Sequence, residues 1–518
     1  MCRRACLMRA GRTSGGGLAL GVERTRGDFL KVAAGGGALL ALGALAGCEP
    51  DPRIQATPSP ARAGRTWSFR SRPDLKPPPV EVTRRTRSTA KGYIFVAAKN
   101  GPGEEYPAQD GSMILDGEGQ PVWLRPVRSE AKDMMDFKAQ RYHGKSVLTW
   151  WEGTHGGWGR GEYLILDSSY REVARVRAGN GLEGDHHEFL ITRRDTALLT
   201  IYKKVPMDLS PFGGPEDGAV MDGIVQEVDI RNGEVLFEWH SLEHVGLEES
   251  PFELRPDLKG AYDYFHINSV AEDNDGNFLV GSRKTSTVYK VDRRTGKVIW
   301  RLGGERSDFG MGEGARFAFQ HDARRQEDGT VTLFDNRGAN MGEPSRGIRL
   351  RLDEEAMTAT LLQEYTLPGD PFATYQGNVQ DLPNGCVFVG WGSAPFLSEH
   401  DRDGRLLFEA RFPEGVESYR AFRSPWRGLP DDRPAVAAED GPKDRTTLYT
   451  SWNGATGVDT WEVIAGPGPD SLESLGSAPR KGFETAIAFT TDEPYVAVRA
   501  KDGSGRALGT SEAVRRGG

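Results

Sequence analysis

Three histidines recur at one place in successive copies of an internal repeat, and imidazoles gathered in that way can bind or attack a small anion. His187 lies eight residues before a turn at Asp195, His266 opens a run that reaches a turn at 273–276, and His321 lies eight residues before Gly329. Their neighbours are polar: Asp185-His-His-Glu-Phe, Tyr264-Phe-His-Ile-Asn-Ser and Gln320-His-Asp-Ala-Arg. Arg283 ends the strand that follows His266. A guanidinium is a rigid fork of donors suited to oxyanions, so a channel lined by imidazoles and one or two guanidiniums would attract a small tetrahedral oxyanion. Three imidazoles with an open position also suit Zn²⁺ or another transition metal. A lone inner-strand histidine, by contrast, is most often a hydrogen-bonded filler. The residues therefore leave three readings open: an anion-handling enzyme, a metal-dependent enzyme on the channel histidines, and a non-catalytic surface-binding scaffold.

The elements that must position these residues are short strands. An Asp-turn-strand signal recurs at Asp116, Asp167, Asp229, Asp292, Asp353 and Asp401, with steps of 51, 62, 63, 61 and 48 residues. Six copies of that length predict a six-bladed β-propeller with four strands per blade. The clearest copy gives strands at 266–271, 277–283, 286–292 and 297–301, each a β-branched or aromatic run bounded by Gly, Asp or Asn. Asn378, seven residues before Gly385, and Asp136, eight before Gly144, align with the three histidines. All five would open the innermost strand of a blade and converge on a central channel. The first copy has strands near 92–97, 112–116 and 121–124 but no inner one; the run from Tyr419 to Trp426 fills that place and closes the ring, which removes exposed sheet edges.

The expected organisation is a lipoprotein-type signal over 1–48, a Pro/Arg-rich tether and lead-in over 49–91, the propeller over 92–428, a linker over 429–444, and a small immunoglobulin- or fibronectin-like β-sandwich over 445–514. The signal rests on an apolar run ending in Leu45-Ala-Gly-Cys48, with Cys48 the lipidation site. Thr25-Arg-Gly-Asp-Phe-Leu-Lys31 resembles a twin-arginine consensus with Gly27 in place of the second arginine. The chain is therefore expected to be exported and lipid-anchored on the outer face of the cytoplasmic membrane, touching the membrane only through that anchor. The net charge of −8 argues against a nucleic-acid partner, and the first 47 residues carry seven of the bases and only two of the acids. Cys386 is the one cysteine in the folded part and sits in an apolar strand. Two Gly-rich loops, 156–161 and 211–218, fall on one rim, where a lid or acceptor pocket would sit.

Taken together, Asp185-x-His-Glu-Phe, His266-x-Asn-Ser with Ser282-Arg283, Lys297-Val-Ile-Trp-Arg-Leu-Gly-Gly, Gln320-His-Asp and Gly377-Asn-x-Gln with Trp391-Gly resemble the arylsulfotransferase family, from about Arg72 to Trp426. The terminal unit resembles that of a secreted actinobacterial and fungal branch. The resemblance implies a secreted six-bladed propeller that moves a sulfuryl group from a phenolic sulfate donor to a phenolic acceptor without a nucleotide donor, a cofactor or a metal. It implies His321 as the nucleophile that becomes a sulfohistidine, His266 and Arg283 as the pair that holds the sulfate, and His187 as a further channel histidine. Asn268 and Asn378 would orient the substrate. Arg324 is a possible helper, although strand alternation should turn it to the opposite face.

Overall fold

A computed structural model describes residues 54–517, apart from 60, 61, 64, 65, 130, 131, 339–341 and 443. The signal segment and Cys48 lie outside the described residues. The described residues are all-β with three single-turn 3-10 helices, and among them no helix is long and apolar enough to cross a membrane.

Six sheets with four-stranded antiparallel cores account for residues 93–424. The first is ordered Val416–Ser424, Tyr93–Asn100, Gly111–Leu115 and Pro121–Pro126, so the run expected to close the array does pair with the first strand of the repeat. The second runs Asp133–Tyr142, Lys145–His155, Gly159–Leu166 and Glu172–Val176, and the third Phe189–Ile191, Thr196–Pro206, Ala219–Asp229 and Val235–His240. The fourth, Ile267–Glu272, Phe278–Ser282, Thr287–Val291 and Val298–Gly303, matches its sequence reading to within two residues. The fifth begins at His321–Arg325 and the sixth at Asn378–Asp381. Each sheet touches the next in chain order, and the sixth touches the first.

Alternation explains how the sheets stack. Successive side chains on a strand face opposite sides, and here both sides are buried. Leu199 joins the core between the second and third sheets while Leu198 joins that between the third and fourth. Val280 and Leu279 divide in the same way one sheet further on, and Val96 and Phe95 do so where the sixth sheet meets the first and the first meets the second. These side chains are essentially inaccessible, and burying each contributes about 1.5–3 kcal/mol.

Two further sheets share a core of Leu448, Trp461, Val463, Ile487 and Val498. One is ordered Gln55–Pro58, Glu484–Thr490, Arg445–Ser451, Ala435–Asp440; the other Ser471–Pro479, Thr460–Gly468, Tyr495–Lys501, Ala507–Thr510. Two expectations change here. The segment read as a tether and lead-in is built into sheets: Gln55–Pro58 pairs with Glu484–Thr490, and Glu81–Arg85 adds a fifth, outer strand beside Leu406–Arg411. The segment read as a linker holds the strand Ala435–Asp440. In both cases Pro and charged residues marked a surface position, which an edge strand satisfies as well as a loop does. The terminal unit is clasped to the first sheet by Asn453, whose side-chain amide accepts from the Leu124 N–H at 2.8 Å and donates to the Leu124 carbonyl at 2.9 Å.

Candidate functional site

The first strands of the six sheets converge on the axis, and several carry a bulge at the same level. Register breaks fall between Met135 and Lys138, Ile267 and Ser269, His321 and Arg324, and Ser418 and Ala421. Asp136, His266 and Asp322 have φ of 57°, 52° and 58°, in the left-handed region that L-residues rarely occupy. A bulge re-aims side chains that simple alternation would turn away. The outcome is two layers: a histidine layer, and beneath it a buried ionic layer.

In the histidine layer each ring is fixed through Nδ1. The His187 Nδ1 lies 2.5 Å from Asp185 Oδ2, and the His266 Nδ1 meets Asp263 Oδ2. Burial would raise both carboxyls, but the adjacent imidazoles hold Asp185 well below, and Asp263 below, the usual range. An ionised carboxylate at Nδ1 requires the proton on that nitrogen, so Nε2 is the atom each histidine presents. The two rings meet edge to face with centroids 5.2 Å apart.

His321 is held differently. Its Nδ1 faces two oxygens, Asn336 Oδ1 at 2.8 Å and the Phe319 carbonyl at 3.1 Å, while its Nε2 accepts from the Gln376 backbone N–H at 3.2 Å. Oxygens on one side and an N–H on the other define a single tautomer: Nδ1 carries the proton and Nε2 keeps its lone pair. Burial, then the charge of Arg283, pushes His321 well below the usual imidazole range. It is a neutral imidazole whose unprotonated nitrogen accepts from the Gln376 N–H.

Arg283 supplies the positive charge. One guanidinium nitrogen donates to the Thr374 carbonyl at 3.2 Å, and the guanidinium lies 4.9 Å over the Phe319 ring. Its buried Nε has no partner among the described residues. Phe319 has φ of 56°, a strained value for an aromatic residue, and its ring passes so close to Gly338 that a Cβ there would meet it at 2.3 Å. One strained residue thus supports both the His321 ring, through its carbonyl, and Arg283, through its π-face.

The remaining expected residues are occupied elsewhere. Asn268 donates to the Gln320 carbonyl at 2.6 Å, and its buried Oδ1 has no partner among the described residues. Asn378 spends both amide atoms on Ala421, accepting from its N–H at 2.9 Å and donating to its carbonyl at 2.8 Å. It pins the first strand of one sheet to that of the next. Arg324 does not face away as alternation suggested; the bulge after His321 turns its guanidinium to Glu188 and to Asp322 at 2.7 Å. There it joins Asp136, Lys138 and Arg420 in the ionic layer. Arg420 reaches Asp136 Oδ1 and Glu188 Oε1, each at 3.1 Å, and Asp322 Oδ1 at 3.3 Å, and is fully inaccessible. Three carboxylates face three cations, so the layer is neutral. Asn336, Gln376, Asp263 and Arg420 were not picked out in the sequence. Only Asp263, three residues before His266, offered a local signal.

The metal reading of His187, His266 and His321 finds no geometric support. Among the described residues the one group whose ligand atoms share metal-binding distances is Asp185, His186 and His187. Asp185 is already taken there: it accepts from the His187 N–H at 2.9 Å, from Thr200 Oγ1 at 3.3 Å and from the Gly159 N–H. Cys386 is a buried free thiol, as its strand context implied.

The class these observations define is an all-β array of sheets with a cluster of oriented imidazoles beside a guanidinium whose Nε has no partner among the described residues. The family model described as Arylsulfotransferase (ASST) matches residues 138–413, more than half of the chain and the whole of this cluster. The chain belongs to the arylsulfotransferase family. No curated protein matches it. Similar solved structures include a protein of unknown function from Bacteroides caccae, at 13% identity over 65% of this chain and 100% of that one with a TM-score of 0.40. Another is a catalytically inactive virginiamycin B lyase from Staphylococcus aureus crystallised with quinupristin, at 7% identity over 80% and 99% with a TM-score of 0.34.

Proposed function

We propose that this protein is an aryl sulfotransferase working through a sulfohistidine at His321, without a nucleotide donor. The observation that carries the reading is the tautomer of His321: a neutral ring, its Nδ1 proton directed to an amide oxygen and its unprotonated Nε2, held by the Gln376 N–H, in a cluster with Arg283, His266 and His187. In the first half-reaction Nε2 gives up its hydrogen bond from the Gln376 N–H and attacks the sulfur of an aryl sulfate, the N–S bond forms and the S–O(aryl) bond breaks. The departing phenoxide takes a proton from the imidazolium form of His266 or His187, each held at Nδ1 by a carboxylate. In the second half-reaction that same histidine removes the proton from an acceptor phenol, the phenol oxygen attacks sulfur, and the S–N bond breaks. Splitting one transfer into two is what covalent catalysis accomplishes. Arg283 and the Gln376 N–H answer the negative charge on the sulfuryl oxygens; loss of one such donor typically costs about 10²–10³ in rate.

The six sheets are read as the blades of a closed propeller over 92–428, and the two terminal sheets as an immunoglobulin- or fibronectin-like sandwich. Export and anchoring at Cys48 belong to the same proposal, on the strength of residues 25–48; absence of palmitate label from the expressed protein would defeat that part.

The decisive experiment offers 4-nitrophenyl sulfate with and without phenol to the wild-type chain and to His321→Asn. Acceptor-dependent nitrophenol release that disappears in the variant supports the proposal. Activity that survives in the variant moves the nucleophile elsewhere, and an inactive wild type rejects sulfuryl transfer from this donor.

A further inference from the structure

The Gly-rich stretch 156–161 forms the end of the hairpin between Lys145–His155 and Gly159–Leu166, closed by a three-residue loop of Gly156, Gly157 and Trp158. Three glycines press that hairpin onto the Trp151 indole. A Cβ at Gly153 or Gly159 would meet the Trp151 ring at 2.5 or 2.6 Å, and one at Gly161 would meet the Glu152 carbonyl at 2.3 Å. The hairpin is also tied to the site chemistry, because the Gly159 N–H donates to Asp185 Oδ1 while Asp185 Oδ2 holds the His187 Nδ1. The tip is therefore fixed, and what it carries is a half-exposed tryptophan.

Trp158 lies in an offset, near-parallel stack with Tyr202, with centroids 6.2 Å apart and planes inclined by 19°. Tyr202 in turn adjoins His187 at 5.6 Å and His266 at 5.7 Å, and its hydroxyl donates to the Ile267 carbonyl at 2.7 Å. That hydroxyl bond holds the ring between Trp158 and the two histidines. The two rings make one continuous aromatic wall from the hairpin tip to the pair of acid-linked histidines. A tryptophan left half-exposed beside a cluster of charged and imidazole groups has no packing role in any of the hydrophobic cores.

We propose that Trp158 and Tyr202 form the aryl subsite, the surface against which the phenol ring of the donor and then of the acceptor lies while its oxygen points to the sulfur. This rests on the sulfuryl-transfer reading and adds the residues that select an aromatic substrate. Aromatic pairs of this kind favour offset stacking, so an aliphatic alcohol loses the contact and a phenol keeps it. Because both half-reactions use one nucleophile, the same wall serves both rings.

The test compares the full-length wild type with Trp158→Ala and Trp158→Phe. Calorimetry measures binding of 4-nitrophenol and, separately, of inorganic sulfate; transfer from 4-nitrophenyl sulfate measures KM for phenol. Trp158→Ala is expected to raise both the Kd for 4-nitrophenol and the KM for phenol about tenfold, with sulfate affinity unchanged. Trp158→Phe should stay within about threefold of wild type, since a phenyl ring preserves the π-face. An unchanged Kd for 4-nitrophenol in Trp158→Ala overturns the proposal. So does a parallel loss of sulfate affinity, which would mean that Trp158 shapes the whole site. If the wild type transfers no sulfuryl group, the reading of the reaction fails, yet nitrophenol calorimetry still judges the aryl wall on its own.

Discussion

Three histidines of one type occupy one layer, and their Nδ1 partners set them apart. His187 and His266 face carboxylates and His321 a neutral amide, although burial still holds His266 below the usual imidazole range. The proposed assignment of acid–base work to the first two and nucleophilic work to the third rests on that contrast, and it can be reversed by design. Asn336→Asp puts a negative charge on His321 Nδ1 and stabilises the protonated ring, so His321 becomes non-nucleophilic at higher pH. The acid limb of kcat/KM for 4-nitrophenyl sulfate should then move up by about one pH unit or more. A limb that stays where it was would show that Asn336 does not govern His321.

Among the elements, the first strands matter most, because at their starts or bulges a residue of the upper layer is followed directly by one of the ionic layer. His187 is followed by Glu188, His321 by Asp322, and Tyr419 by Arg420. Tyr419 donates to the His187 carbonyl at 3.1 Å, so the residue beside Arg420 braces the histidine layer. Removing Arg420 leaves Asp136, Glu188 and Asp322 facing too little positive charge. Arg420→Met should lower stability by about 3–5 kcal/mol, read from the midpoint of urea unfolding, and adding Glu188→Gln should recover part of the loss. A single variant with the wild-type midpoint would mean that the layer is solvated in solution. Asn378 gives a cleaner case. Asn378→Ala strands one N–H and one carbonyl of Ala421 in the core, a cost of about 1–3 kcal/mol for each group. The midpoint should fall while kcat of the folded protein stays at the wild-type value. A selective fall in kcat would instead restore the substrate-orienting role that the sequence suggested for this residue.

For the molecule as a whole, buried imidazoles predict a stability curve with two limbs. Burial, reinforced by His187, pushes His186 down to about 3, and burial pushes His400 down to about 4. Unfolded imidazoles titrate near about 6.5, so below that pH the unfolded chain takes up protons that the folded chain refuses. Stability should therefore decline as pH falls from about 6.5 toward those values. His240 works in the opposite sense: its hydrogen bond to Asp222, with a second to Glu238, lifts it to about 9. That contribution is fully present below about 6.5 and is lost as pH rises through about 9. The thermal midpoint should peak near neutral pH, and His240→Gln should flatten the alkaline limb selectively. Equal alkaline slopes in the two proteins would exclude His240 as the cause.

What the sequence determined by itself is what short-range physics encodes. Two-residue alternation and Gly/Asp turns located the strands of the fourth sheet, the level shared by His187, His266 and His321, and the strand from residue 419 that completes the first sheet. The same signals hid the strands at 55–58, 81–85 and 435–440, because an edge strand tolerates the Pro and charge that also mark a loop. Tertiary structure alone decided the partners. His321 meets a backbone N–H 55 residues away, and Arg420 meets carboxylates 232 and 284 residues away. Those pairings exist only once the sheets close and the bulges fix which way each side chain points. A bulge is one extra residue in a ladder, and it leaves no periodicity to read. The types of chemical group could be listed from the chain; which histidine turns an unprotonated Nε2 to a backbone N–H, and that Arg324 and Asn378 hold the scaffold together, follow from hydrogen bonds that closure creates.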